Sequence, residues 1–229
     1  MINSQRRGDR GQGRSPAGRI AGILVSALAM GAGFGAATAF VNALALGQTD
    51  LSSREYTTGG WSVAEIVSVL LDSGWAWAGC AVAVGWLVTR GTDGRLAAPA
   101  LGAIAAPLAL IAATTAYSIG ESIADGGESP WFDAEVIAWG TAGIVLGAPL
   151  GAIGTCVRRS GLLGLLARLT VPVGAAVQMV VLPPGRNEVI QAIGKTIVWA
   201  GAAVSIALIV AHFLLVERRR RHPAVAESS

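Results

Sequence analysis

VIQAIGKTIVWAGAAVSIALIVAHFLLVERRRR, residues 189–221, is the stretch that decides the class of this protein. From Val189 to Val216 the only ionisable side chains are Lys195 and His212, and then Glu217 and four consecutive arginines follow. A helix needs about 20 apolar residues to cross the hydrocarbon core of a bilayer, and this run exceeds that length. A soluble helix as long would carry a charged face. The run Arg218–Arg221 marks where the span ends and where it anchors against anionic lipid headgroups.

Working back toward the N-terminus, the pattern recurs. Apolar spans are predicted at about 20–46, 74–89, 96–117 (continuing as helix toward Asp125), 134–157 and 162–182, besides 189–216. The reading is an all-α polytopic bundle of six transmembrane helices over residues 20–216. Residues 1–19 read as a disordered basic cytoplasmic tail and 217–229 as a second basic tail. Composition agrees. Charged residues make up 14% of the 229, against about 25% in a soluble domain, too few to wet a globule of this size.

Between the first two spans, Ser62-Val63-Ala64-Glu65 is a capping-box pattern that starts a helix. Val63, Ile66, Val67, Leu70 and Leu71 fall on one face of it, with Glu65, Ser68 and Asp72 opposite. A short interfacial helix over residues 62–72 is therefore expected, turning at Asp72-Ser73-Gly74 into the second span; one long tilted helix over 62–89 is the alternative.

Orientation follows from the lysine and arginine bias. With the N-terminus inside, cytoplasmic segments hold 14 of the 17 Lys and Arg residues, and outer segments hold only Arg54, Arg186 and Lys195. Both termini are thus expected in the cytoplasm. Trp61, Trp75, Trp77 and Trp131 near outer boundaries, and Trp86 near an inner one, fit an aromatic belt. The first span is too long for the apolar region of a cleavable signal. The basic balance does not imply nucleic acid, because the arginines cluster at span ends.

Helices in lipid associate by close approach at small residues. Gly143, Gly147 and Gly151 form a stripe down the fourth span and Gly31 and Gly35 a shorter one in the first. Packing inside the bundle is the expected use; a homo-oligomer face is the other. Pro107, Pro149 and Pro172 fall inside the third, fourth and fifth spans.

Ionisable and polar groups inside spans are candidates for function. On the third span Thr114, Ser118, Glu121 and Asp125 follow helical spacing, with Tyr117 alongside; on the sixth, Glu188, Gln191 and Lys195 do so. Asp72 opens the second span and Gln178 lies in the outer half of the fifth. If the stripes of the third and sixth helices face each other, they enclose an acidic vestibule open to the exterior, in which Lys195 pairs with Glu121 or Asp72. The plainer reading is a set of polar helix ends, with Asp72 as a cap and Lys195 reaching the headgroups.

No catalytic or cofactor motif is present. HExxH, a nucleophile elbow, a Walker loop and a dinucleotide fingerprint are all missing. His212 and His222, with Cys80 and Cys156, make no zinc or haem ligand set, so neither a metal nor a cofactor is expected.

Leu71-Asp72-Ser73-Gly74-Trp75-Ala76-Trp77, with Gly147-Ala148-Pro149-Leu150-Gly151 and the exit Arg158-Arg159, resembles a family of actinobacterial six-helix membrane proteins with no assigned activity. The family pattern has asparagine where Asp72 stands. The resemblance implies the six-helix layout and an actinobacterial origin, and carries no mechanism. The functional expectation is a small-solute binding or transport component, more readily non-enzymatic than enzymatic. Its rival is a non-catalytic accessory or scaffold subunit of a membrane complex. The expected partners are the lipid bilayer and either another membrane subunit or a second copy of the chain.

Overall fold

The computed structural model describes residues 15–48, 62–88, 97–127, 134–183 and 187–221, and every regular element within them is an α-helix. In chain order these are α1 (Pro16–Gln48), α2 (Val63–Leu71), α3 (Gly74–Val88), α4 (Ala97–Ala124), α5 (Ala134–Cys156), α6 (Leu162–Val181) and α7 (Glu188–Arg221). Several expectations lie outside the described residues: the disorder of 1–14 and 222–229, the polar loop with Trp61, the Arg90–Arg95 turn, the loop segment with Glu128, Trp131 and Asp133, and residues 184–186.

Five helices (α1, α4, α5, α6 and α7) are long and apolar enough to cross a membrane, and the bent pair α2–α3 makes a sixth if it counts as one span. This is the composition and layout of a multi-pass helical membrane protein. Alternation of apolar runs with Gly, Pro and charge clusters set the boundaries, so the helix limits fall close to those read from hydropathy. The largest extension is α7, which continues as helix through the arginine run.

α4 is the central helix. Half of its apolar window is buried, against 11% for α7. It packs on α1, α3 and α5, while α6 and α7 pair with each other and reach the rest through α3, α2 and α5. Close packing depends on glycine. A Cβ on Gly31 would lie 1.9 Å from the Ala109 carbonyl oxygen, and one on Gly35 2.0 Å from that of Ala113. On α5, a Cβ on Gly151 would meet the Gly102 oxygen at 2.1 Å, and one on Gly147 the Pro107 backbone nitrogen at 3.2 Å. Gly85 and Gly154 are equally tight, and Gly102 nearly so, though the stripe pattern did not single them out. A core of Ala27, Ala81, Val84, Ala105, Ala106 and Ala109 lies between these helices. Such small side chains maximise backbone proximity, which replaces the hydrophobic drive that lipid cannot supply.

The turns obey local rules. α4 ends at Gly126 and Gly127, both at positive φ, where the Gly127 N–H donates to the Ser122 carbonyl at 2.7 Å. Gly161, at φ +83°, makes the reversal from α5 to α6, and Arg168 Nε donates to the Val157 carbonyl across it at 2.9 Å.

α2 and α3 are separate helices meeting at 57°. The capping box closes: the Glu65 N–H donates to Ser62 Oγ at 3.2 Å, and the Ser62 N–H donates to Glu65 Oε2 at 2.8 Å. The faces of α2 differ from the expectation. Glu65 and Ser68 are buried, whereas Val63 is 70% exposed and Val67 38%. Glu65 accepts from its own N-cap Ser62, while Ser68 turns into the bundle and finds an interhelical acceptor in Asn42 of α1, which lipid could not supply.

Candidate functional site

At the end of the bundle where α3 begins and α4 finishes, a cavity of about 450 Å³ opens between α3, α4 and α5. Helical spacing along α4 brings Thr114, Ser118, Glu121 and Asp125 onto the face that lines it, with Tyr117 beside them. The α2–α3 bend places Asp72 at the rim, and the first turns of α5 bring Glu135 and Trp139. Trp139 Nε1 donates to Glu135 Oε1 at 3.3 Å along α5. Leu110, which is buried, and Leu150 add an apolar wall, with Leu146 at an exposed edge.

Trp77 is part of this site. Its ring stands edge-on between Phe34 and Tyr117, with centroids 5.3 Å and 6.1 Å away. Trp77, expected in a boundary belt, lies in the first turn of α3 with its ring turned inward. It packs against the core because the aromatic column fills the space where α1, α3 and α4 converge.

A chain of hydrogen bonds runs into the cavity from α2. Ser68 Oγ donates to Asn42 Oδ1, Asn42 Nδ2 donates to the Tyr117 hydroxyl at 2.9 Å, and that hydroxyl donates to Glu121 Oε1 at 2.6 Å. Ser68 is fully buried and Asn42 is 5% exposed, so the bond between them forms away from competing solvent, while the chain ends at an exposed Tyr117–Glu121 bond. The chain orients Tyr117 and fixes one oxygen of Glu121 at the cavity edge.

Asp72, Thr114, Tyr117, Ser118 and Glu121 are therefore gathered around one space. Gln178 is near but does not line it; its Oε1 accepts from the Trp75 N–H at 2.7 Å, capping the start of α3 from α6. Gln191 and Lys195 lie elsewhere. α7 packs on α6 and α2 and has no contact with α4 among the described residues, so the third and sixth helices do not enclose the vestibule. Lys195 Nζ sits 4.5 Å from the centroid of the Trp199 ring one turn along α7, in place of the expected pairing with Glu121 or Asp72. The physical reason is topological: α5 occupies the side of α4 that α7 was expected to take.

Asn42, Ser68 and Trp139 carry the site without having been singled out for it. A lone amide inside an apolar run is the signal for Asn42, since such a group seeks an interhelical partner. Ser68 and Trp139 offer no comparable signal. No protein-family model matches this chain, and no curated protein or solved structure is detectably similar to it.

Proposed function

We propose that this protein is a six-span component of the bacterial plasma membrane, termini inside, that binds or transports a small solute entering the α3–α4–α5 cavity from outside. The observation that carries this reading is a ligand-sized cavity whose rim bears four carboxylates, one of which, Glu121, is held by the Ser68–Asn42–Tyr117 chain. The α2–α3 pair counts here as one broken second span, in the way transporter folds interrupt helices at ligand sites. The arginine bias supports the orientation, which points the cavity mouth outward. Under this reading a partner subunit moves the cargo and this chain selects it.

The accessory-subunit reading draws less support. The glycine faces through which such a subunit would dock are occupied inside the chain, by Ala109, Ala113, Gly102 and Pro107.

Native mass spectrometry of the protein purified from its own membrane in mild detergent tests the proposal. A recurrent small-molecule adduct is expected, lost in Glu121→Gln and retained in Lys195→Met. A clean chain with a stoichiometric partner protein and no adduct overturns it.

A further inference from the structure

We infer that Thr114 is the residue that selects the solute: it recognises a hydroxyl or carbonyl oxygen on a molecule whose adjoining flank is apolar. This rests on the cavity being a solute site, as proposed above, and names the class of solute.

Thr114 is an exception among the threonines. Thr38, Thr115, Thr141, Thr170 and Thr196 each donate to the carbonyl four residues earlier, and Thr155 donates to that of Ala152 at 2.7 Å. These are all the other threonines among the described residues. In an apolar helix this bond back to the preceding turn satisfies a hydroxyl that has no water to turn to. The Thr114 hydroxyl makes no such bond to Leu110, and among the described residues it meets no other partner.

Its position gives that vacancy a meaning. Thr114 is 7% exposed and lines the cavity, so the little surface it keeps opens there. Among the described residues, the buried polar atoms sealed off without a partner are Glu65 Oε1 and Trp75 Nε1, and the Thr114 hydroxyl is not one of them. A buried hydroxyl that faces a cavity calls for a partner from outside the chain. Water serves in a wet cavity. A solute that displaces the water must offer a polar atom in exchange or leave the hydroxyl unpaired.

The apolar flank follows from the neighbours. Leu110 lies one turn along α4 from Thr114, and Gly143 faces it from α5, where a Cβ would come 3.2 Å from the Leu110 Cβ. Neither brings a polar side-chain atom, and Leu150 extends the same lining. Thr114 stands seven residues, about 10 Å of helix axis, from Glu121. That distance separates the oxygen-bearing group of the solute from the rim.

The test uses two neutral probes that differ by a hydroxyl in place of a methyl group, 2-phenylethanol and propylbenzene. Each is titrated calorimetrically into the purified full-length protein in nanodiscs, with empty nanodiscs as the reference for partitioning. Wild type should prefer the alcohol. Thr114→Val should cut that preference roughly three- to tenfold, the range for one net hydrogen bond, by weakening the alcohol alone. Thr114→Ser, which keeps the hydroxyl, should retain it. An undiminished preference in Thr114→Val overturns the inference, as does an equal loss of both probes, which marks a packing role. If neither probe binds, the native adduct decides. An adduct kept in Thr114→Ser and depleted in Thr114→Val upholds the inference, and one kept equally in both overturns it while the solute site stands. Absence of both probe binding and adduct removes the solute site itself.

Discussion

Helices α1, α3, α4 and α5 meet backbone against backbone, whereas α6 and α7 meet their neighbours through side chains. In the first group, Cβ atoms on Gly31, Gly35, Gly85, Gly151 and Gly154 would all fall within 2.2 Å of a carbonyl oxygen on another helix. In the second, Gly174, Gly194 and Gly201 have nothing within 4 Å of such an atom. There the contacts are Ala175 and Met179 against Val198, with Leu70 and Trp75 at the edge, and a bond from Trp199 Nε1 to the Ala176 carbonyl at 3.2 Å. The difference teaches how a membrane bundle divides its work. Backbone proximity multiplies dispersion contacts and leaves little freedom, so the cavity sits among the closely packed helices. The α6–α7 hairpin is peripheral to it.

The sharpest way to break this comparison is a large residue at the tightest point. Gly151→Leu should cost about 3 kcal/mol or more, since backbone on Gly102 cannot yield as a side chain can. Fluorescence-detected size exclusion after heating should show loss of the folded peak, while Gly201→Leu behaves as wild type. Equal behaviour of the two would refute the division.

A smaller effect is expected at Asn42→Leu, which splits the hydrogen-bond chain by removing the acceptor of the Ser68 hydroxyl and the donor to the Tyr117 hydroxyl. The cost should be about 2 kcal/mol, roughly two net hydrogen bonds. A double-mutant cycle with Ser68→Ala should show coupling; strict additivity would sink the idea of one connected network.

Gln178→Leu tests the seam between the two regions. It removes the acceptor for the Trp75 N–H and should cost about 1 kcal/mol. Faster amide exchange confined to residues 74–77 is the expected signature, and unchanged exchange there counts against the cap.

Lys195→Met should do least, under about 0.5 kcal/mol, because an exposed-edge contact with a ring is worth little more. Its solute adduct should be that of wild type. Loss of the adduct would restore α7 to the site and undo the assignment of the cavity to α3, α4 and α5.

Much of the candidate site was legible in one helix. Thr114, Ser118, Glu121 and Asp125 share a face because the α-helical period alone puts them there. Their partners were not. Asn42 lies on α1 and meets Tyr117 from 75 positions away, and Ser68 reaches Asn42 from α2, relations that no local spacing encodes. The stripe on α7 has the same helical periodicity as that on α4, and nothing in either says that they stand apart. α2 is the case where local pattern misled. Its two faces were read by the rule for a helix against water, and burial cuts across both: Glu65 and Ser68 are buried with Ile66, while Val63, Val67 and Asp72 are exposed.

The sequence by itself determined that the chain is helical and multi-pass, and where its helices begin and end. Hydropathy over a span, capping residues and glycine turns act within a few residues of one another. Only the tertiary structure decided that α4 lies at the centre, that α5 rather than α7 walls the cavity, that Trp77 lines it and that Asn42 holds Tyr117 beside it. Those choices depend on which small residues of distant helices fit backbone to backbone, and in lipid that fit, rather than hydrophobicity, selects neighbours.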